Sequence, residues 1–392
     1  MGAGPAGLLL SHLLARAGVE SVVLERRSRE YVEQRVRAGV LEHSTAALLD
    51  ACGVGGRMRR EGLVHHGIEL RFAGARHRVP LTELAGGRSI VVYGQQEVVK
   101  DLIDARLAAG GRIEFDTEAV GIEGWEGTGG ATPAVHFVDA AGRAGTLSCD
   151  VVCGCDGAHG ASRAAVAGRA RVFSHRHPFA WLGILAEAPP ATEELIYCRH
   201  DRGFSLYSMR SPTLSRLYLQ VEPGTPLEDW PDERIWDELA ARLHVEGWEM
   251  SVGPIVERSV TDMQSVVVEP MRFGSLFLAG DAAHVVPPTG AKGMNLAVAD
   301  VRLLAEALVP LLQAGDGSLA DEYSARCLRR VWRAQELSTW MTMMLHPLTG
   351  EDFNGRLQLA RLDHLVHSEG SSRWLAENYV DLTGGAGLVT GA

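Results

Sequence analysis

The chain opens on Gly2-Ala3-Gly4-Pro5-Ala6-Gly7, and the largely apolar run Leu8 to Ala17 follows at once. This is G-x-G-x-x-G at the start of a helix, and few folds can accept it. The first glycine permits a tight turn. The second lets a pyrophosphate approach the backbone, where the helix N-terminus offers free N–H groups. The third lets helix and strand pack closely. Gly2, Gly4, Ala6 and Gly7 are therefore the candidate cofactor-binding backbone. Val19 to Glu25 then reads as a strand with an acidic end, and Glu25 lies 18 residues beyond Gly7. A carboxylate at that distance is placed to bind adenosine ribose hydroxyls, and an acid there favours an unphosphorylated ribose, as in FAD or NAD.

The fingerprint normally follows a strand of about five or six residues. Only Met1 precedes Gly2. The expectation is a Rossmann-like domain that lacks its first strand here, with a native chain that starts upstream. Intact-mass measurement of protein from its source tests this, and a native N-terminus at Met1 contradicts it.

A second strand-to-helix junction lies far along the chain. Leu276-Phe277-Leu278-Ala279 reads as a buried strand, Gly280 to Lys292 as a Pro/Gly loop, and Gly293 onward as a helix with apolar residues at helical spacing. Asp281, at the strand end, can accept a sugar hydroxyl. The free N–H groups at the helix start suit an electron-rich, partly anionic ring. An ordinary Pro/Gly connection with an aspartate cap gives the same local pattern, so the rest of the chain must decide.

Arg26 to Arg37 is a basic segment on a short helix, either a solvated face or an anion site for a nicotinamide cofactor's phosphate. Ala38 to Asp50 reads as a helix, Leu63 to Phe72 as one alternating strand, and Ser89 to Gln95 as a strand running into a turn. Gln96 to Ala109 reads as a helix, Ala119 to Asp139 as a hairpin, and Asp150 to Arg163 as a strand, a Gly/Asp turn and a helix. The glycines of that last segment make no second fingerprint, and no helix can follow Gly384 to Gly391. One dinucleotide-binding unit is expected, not two. Glu194 to Cys198, Phe204 to Arg210 and Ser215 to Val221 alternate like antiparallel strands, and the chain past Asp300 reads as helical. The fold class is mixed α/β. The expected division is a discontinuous cofactor domain (1–70, 95–170, 265–300), an inserted sheet domain for the substrate (71–94, 171–264) and a C-terminal helical region (301–392). Trp332, Trp340, Met341, Met343 and Met344 suit interface burial there.

A formal charge of −11 excludes a generic nucleic-acid binder and leaves no polybasic membrane patch. No apolar run approaches the ~18 residues of a membrane span. Leu8 to Ala15 lacks the positive lead-in of a signal peptide. Six cysteines are sparse for 392 residues, so a disulfide framework is not expected and the location is read as cytoplasmic. Cys149, Cys153 and Cys155 share one strand parity and read as small apolar residues. No CxxC or second ligand cluster supports a metal site.

GAGPAG with Glu25, CDGAHGASR (155–163) and GDAAHVVPPTGAKGMN (280–295) stand in order, and together they resemble the single-component FAD-dependent aromatic hydroxylases. The resemblance runs from Gly2 to about Tyr379. RVRAGVLE (35–42), GLVHHG (62–67), YGQQEV (93–98), ELIYCRH (194–200), GFSLYSMRS (203–211), RLYLQV (216–221) and AENYV (376–380) narrow it to members acting on a 4-hydroxylated benzoate. It implies an enzyme that uses FAD, NAD(P)H and dioxygen, through a flavin hydroperoxide, to make 3,4-dihydroxybenzoate from 4-hydroxybenzoate. It implies FAD contacts from Glu25, Arg35, Arg37, Gln95 and Asp281, with Gly293 and Met294 presenting backbone and Asn295 touching the flavin. Arg210 would pair bidentately with the substrate carboxylate, helped by Ser208 and Tyr218, with Met209 and Pro288 lining the ring. Tyr197 would meet the 4-hydroxyl, and Tyr197, Tyr379 and His65 would carry its proton to solvent. Arg216 would add positive charge, and the family's dimers imply a homodimer.

Arg26, Tyr31, Arg37, His159 and Arg163 are the implied NAD(P)H contacts. Arg26 and Tyr31 match NADPH-preferring members, so NADPH is expected, with NADH possible. Gln264 departs from the pattern, standing where the family usually carries a phosphate-binding arginine. Taken singly, each tyrosine could be an ordinary half-buried strand or interface residue, and each arginine a solvated one. Two other readings stay open. One is the same chemistry on an amino- or dihydroxybenzoate. The other is an FAD-free protein with a purely binding role, which purified protein without flavin colour would favour.

Overall fold

Pro5–Arg16 form the first helix in the computed structural model, which describes residues 1–35, 39–127, 131–348, 350 and 352–381. Pro5 opens it, where a missing N–H costs nothing, and Leu8, Leu9, Leu10 and Leu14 bury its inner face. Gly2 has φ +93°, and a Cβ there would sit 2.4 Å from the Cys155 carbonyl oxygen. A Cβ on Gly7 would sit 2.0 Å from the Gly2 oxygen, whereas one on Gly4 meets nothing within 4 Å. Two of the three glycines serve close packing, and the middle one leaves open space beside the helix start.

The parallel layer is in two pieces. Val22–Leu24 pairs with Arg112–Glu114, and Val152–Gly154 pairs with Leu276–Leu278, which also pairs antiparallel with Arg272–Phe273. The first two residues bond to both pieces. Gly2 donates to the Leu24 carbonyl at 2.8 Å, the Met1 amino group donates to Cys153 O at 2.8 Å, and Cys155 N–H donates to Met1 O at 3.0 Å.

The largest sheet has eight strands. They run in the order His284–Val285, Ile255–Glu269, Arg171–Ala186, Leu214–Val221, Gly203–Ser211, Leu195–His200, Ile68–Phe72 and Ala75–Val79. Every neighbouring pair is antiparallel except Leu195–His200 with Ile68–Phe72. Directly opposed residues share a face. The pairs Gly183/Tyr218, Tyr218/Leu206, Leu206/Tyr197 and Arg216/Ser208 therefore set Tyr197, Ser208, Arg216 and Tyr218 on one side. On the other side Leu182, Ile184, Ile196 and Leu219 pack against Ile235, Leu239 and Leu243 of the amphipathic helix Asp232–Leu243. That helix seals one face, so the polar face is free to build a site. The helices Gly293–Ala314, Ser318–Leu345, Asp352–His367 and Glu369–Val380 complete the chain, and their Met341, Met344 and Tyr379 join the same core as Trp181, Tyr197 and Phe204.

Two expected elements differ. Leu63 to Phe72 is not one strand. Leu63–His65 pairs in a small sheet with Ile90–Val92, and Ile68–Phe72 enters the eight-stranded sheet. The break falls at Gly67, where a Cβ would lie 2.8 Å from both Arg78 and Glu194, an ion pair that closes over the crossing chain. The segment expected as a helix from Ala38 to Asp50 is likewise not helical throughout its described residues, 39–50. Val40–Leu41 is a strand, and the helix spans His43–Ala51. The Asn295 side chain holds Val40 and Glu42 by their backbone, so tertiary bonds override local helix propensity. Among the described residues no helix is long and apolar enough to cross a membrane, and no His/Cys/Asp/Glu group could hold a metal ion.

Candidate active site

Tyr197 on its strand and Tyr379 on the last helix meet hydroxyl to hydroxyl at 2.6 Å, with ring planes 85° apart. They are 2% and 1% exposed. Burial pushes the Tyr197 phenol up to about 12, although the Tyr379 hydroxyl and the Gly290 backbone pull the other way. Burial, then its neighbour Tyr197, raises Tyr379 well above the usual phenol range. Both stay neutral near pH 7, so this pair can pass a proton only by reorienting its hydroxyls. His65, the expected outward end of the path, is 1% exposed, and neither ring nitrogen has a hydrogen-bond partner. It is not joined to Tyr379, and it does not reach solvent.

Burial depresses His65 from its ordinary 6.5 to about 4, and His177 likewise to about 4. Between those values the unfolded chain binds protons that the folded chain excludes. Stability is therefore fully present above about 6.5 and declines as pH falls towards 4. The slope is up to about 1.4 kcal/mol per pH unit for each histidine. Urea midpoints at pH 7 and pH 5 should show this loss, and His65→Asn should shrink it.

The same sheet face carries a cationic end. Burial lowers the Arg210 guanidinium's pKa, and its Nε is a buried donor without a partner. Arg210 Nη1 donates to the Met209 carbonyl at 3.1 Å, and the guanidinium also hydrogen-bonds the Tyr218 hydroxyl. Among the described residues no carboxylate pairs with it. Arg216 lies 3.2 Å from Glu257, with its guanidinium 5.3 Å from the centre of the Tyr218 ring. Burial alone would raise the Tyr218 phenol, but Arg216 and Arg210 outweigh it and lower the net value. The Ser208 hydroxyl donates to the Arg216 carbonyl at 2.8 Å. Met209 is a correction: it opposes Ser215, and strand alternation turns its side chain to the face away from Ser208. Gly183 leaves room for this cluster, because a Cβ there would lie 2.9 Å from Arg216 and 3.3 Å from Tyr218. Gly183→Ala should displace both and raise the KM for an aryl acid by about tenfold, read by steady-state kinetics.

The loop before the long helix Gly293–Ala314 meets the tyrosine end, where the Gly290 backbone bonds Tyr197. Gly290 and Ala291 have φ +88° and +55°, which turns the chain sharply into the helix. Pro288 is exposed, and Met294 is half-buried at the helix start. The Asn295 amide donates to Val40 O at 2.9 Å and Ala291 O at 2.8 Å, and its oxygen accepts from Glu42 N–H, so its polar atoms clamp the loop to the Val40–Leu41 strand. Sequence reasoning missed a buried network here. Lys292 is fully buried and donates to Glu42 at 2.7 Å and to the carbonyls of Asn378 and Tyr379 at 2.7 and 2.9 Å, while Arg330 holds the other Glu42 oxygen at 2.9 Å. One signal was available. Lys292 and Lys100 are the only lysines among 38 basic residues, so a lysine between alanine and glycine in this loop stands out. Lys292→Met leaves those carbonyls unmet and Glu42 with Arg330 alone. A loss of about 2–4 kcal/mol is expected in urea unfolding.

The remaining predicted residues lie outside the eight-stranded sheet. Glu25 accepts from Ala3 N–H at 2.7 Å and Arg27 N–H at 2.9 Å, which fixes the glycine turn. Gln95 begins a helix directly after Gly94. Asp281 is exposed, and Arg163 donates to the carbonyls of Asp281 and Ala282 at 2.6 and 3.0 Å. His159 and Arg26 are exposed, and Arg27 and Arg35 stand 5.2 and 6.0 Å from the half-exposed Tyr31 ring. Arg37 lies outside the described residues.

These features fit an FAD molecule. The Pro5–Arg16 helix has no side-chain cap and no acid in its first turn, and Gly4 borders open space. Its N–H groups are thus available to a pyrophosphate. A carboxylate offers about four acceptor positions, so Glu25 can hold its turn and still take a ribose hydroxyl. The Gly293 helix also lacks a side-chain cap, which leaves donors for an anionic ring edge.

Comparison with known proteins agrees. The FAD binding domain family matches residues 1–338. A p-hydroxybenzoate hydroxylase of Acinetobacter baylyi is 45% identical over 385 residues, covering 97% of this chain and 94% of its own. A solved p-nitrophenol 4-monooxygenase from Pseudomonas putida superposes with TM-score 0.82 at 20% identity, over 97% of this chain and 96% of that one. A solved aklavinone-11 hydroxylase in complex with FAD and aklavinone gives TM-score 0.74 at 24% identity, over 88% and 68%. The chain belongs to the FAD binding domain family and is an FAD-dependent aromatic hydroxylase.

Proposed function

We propose that the enzyme hydroxylates 4-hydroxybenzoate at position 3 to give 3,4-dihydroxybenzoate, as a step in aromatic-acid breakdown. The observation that carries this reading is a half-buried arginine, Arg210, whose Nε is a buried donor and which has no acidic partner among the described residues, on the same sheet face as a buried tyrosine pair. An unpaired buried cation is costly, and a substrate carboxylate would relieve that cost. Arg210 and Tyr218 hold the carboxylate, and Ser208 closes that end. Tyr197 meets the 4-hydroxyl and takes its proton while passing its own to Tyr379, which in turn must release one towards bulk water, so neither phenol changes charge. A ring carrying a phenolate is richer in electrons ortho to the oxygen than a neutral phenol, so this proton transfer selects position 3. We place the substrate on the eight-stranded sheet and the cofactor on the glycine turn, Glu25, Gln95, Asp281 and the Gly293–Met294 backbone. FAD, when bound, accepts the nicotinamide hydride and activates dioxygen. Trp181, Phe204 and Leu206 give the pocket apolar walls that exclude water.

Arg26, just before the helix Arg29–Gln34, and Tyr31, within it, are exposed and favour NADPH over NADH as the reductant. Steady-state rates with both should show a lower KM for NADPH, and a large NADH advantage contradicts this. The homodimer is proposed on Trp332, Met343, Phe353 and Trp374, exposed on the C-terminal helices, Phe353 to 77%. The function is tested by following flavin bleaching under NADPH without oxygen. 4-Hydroxybenzoate should accelerate it strongly. Acceleration by an amino- or dihydroxybenzoate, but not by 4-hydroxybenzoate, assigns the related substrate instead.

A further inference from the structure

Behind the two clamping tyrosines lies a buried aromatic wall with one polar bond at its centre. The Trp181 Nε1–H points at the His346 Nε2, 2.7 Å away. The two rings are nearly coplanar, 13° apart, with centroids 5.8 Å from each other. That is an edge-to-edge hydrogen bond and not a stack. An indole nitrogen can only donate, so Nε2 is bare and the imidazole proton sits on Nδ1. Nδ1 is 2.9 Å from the Thr342 carbonyl, which accepts it. Both ring nitrogens are satisfied in a single tautomer. Phe179 stacks at 4.4 Å on the imidazole, Phe204 lies tilted 4.2 Å from it, and burial pushes its pKa down to about 3, so it stays neutral.

This bond is anchored at both ends. His346 follows the helix Ser318–Leu345, and Gln358 donates to its carbonyl at 2.9 Å. One turn back, the Thr342 hydroxyl donates to Thr289 in the loop that leads into the Gly293 helix. On the other side, the Trp181 ring lies 4.8 Å from Tyr218 and 5.3 Å from Phe204, and Phe204 lies 6.3 Å from Tyr197. The indole therefore backs the carboxylate end directly and the phenol end through one ring. The span between those two ends decides how long a substrate fits.

We propose that His346, acting through Trp181, is a positioning residue that fixes the distance between Tyr218 and Tyr197. It thereby restricts the enzyme to aryl acids whose carboxylate is joined directly to the ring. This rests on the substrate reading above. The test compares kcat/KM for 4-hydroxybenzoate and for 4-hydroxyphenylacetate, which is one methylene longer. A well-fitted pocket discriminates one methylene by roughly 10–200-fold. His346→Phe keeps a flat ring but strands the indole N–H, and the ratio should fall by about tenfold. Trp181→Phe should lower it similarly, and the double variant should do no worse than either single one, because both break one bond. His346→Gln, whose amide oxygen can accept the indole N–H, should recover the ratio. Thermal midpoint and bound flavin are measured alongside. An unchanged ratio in soluble, flavin-replete His346→Phe or Trp181→Phe protein overturns the proposal, even if the midpoint drops. If one variant does not fold, the other tests the same bond. Wild-type enzyme that forms no 3,4-dihydroxybenzoate overturns the substrate reading itself, before any variant is made.

Discussion

Tyr197→Phe is expected to keep its flavin and still bind an aryl acid, yet to lose most hydroxylation. The substitution removes one oxygen from a buried contact of 2.6 Å and leaves the ring packing in place. A phenyl ring could not accept the 4-hydroxyl proton or pass it to Tyr379, and the substrate would stay a phenol. Positioned proton transfer contributes about 10²–10⁴-fold, so product formation should fall by about two orders of magnitude or more. NADPH consumption should fall much less, so product per NADPH collapses. Product and NADPH measured in one assay decide this, and undiminished product sinks the role given to Tyr197. Tyr379→Phe should reproduce the loss more mildly, because it leaves the first contact with the substrate intact.

Arg210→Gln should fail differently. No acid pairs with Arg210 among the described residues, and its Nε is a buried donor without a partner. The carboxylate would supply the missing charge and acceptors. Removing one member of a buried, hydrogen-bonded charge pair costs about 2–5 kcal/mol, or roughly 30- to 4,000-fold in affinity. Titration of flavin absorbance with 4-hydroxybenzoate should show that weakening. Arg216→Gln should cost less, since Arg216 already has Glu257. Stability offers a second check. Replacing Arg210 removes a half-buried cation whose Nε lacks a partner without substrate, so the ligand-free variant should unfold no earlier than wild type. An affinity that stays within about twofold of wild type contradicts the assignment.

What the sequence made legible follows from period and position. Gly2, Gly4 and Gly7 announce a helix start that must stay open, and the structure places open space at Gly4. Tyr197, Ser208 and Tyr218 sit on strands whose alternation can be counted, so a common face can be argued without coordinates, whereas Arg210 falls at a break in the register. The same count turns Met209 to the opposite face, against the role the resemblance implies. Leu63 to Phe72 misled because apolar alternation runs through the break, and only the room needed at Gly67 separates its two halves. The contacts that hold the site together were out of reach. Glu42 and Lys292 are 250 residues apart, Glu42 and Arg330 288, and Trp181 and His346 165. No local pattern encodes such a pairing. It appears only once the C-terminal helices close on the sheet.

The most direct test supplies wild-type enzyme with 4-hydroxybenzoate, NADPH and dioxygen labelled with a heavy oxygen isotope, and weighs the product. The account predicts 3,4-dihydroxybenzoate carrying one labelled oxygen atom, formed molecule for molecule with NADPH consumed. Unlabelled product, or NADPH consumed with only hydrogen peroxide formed, contradicts it.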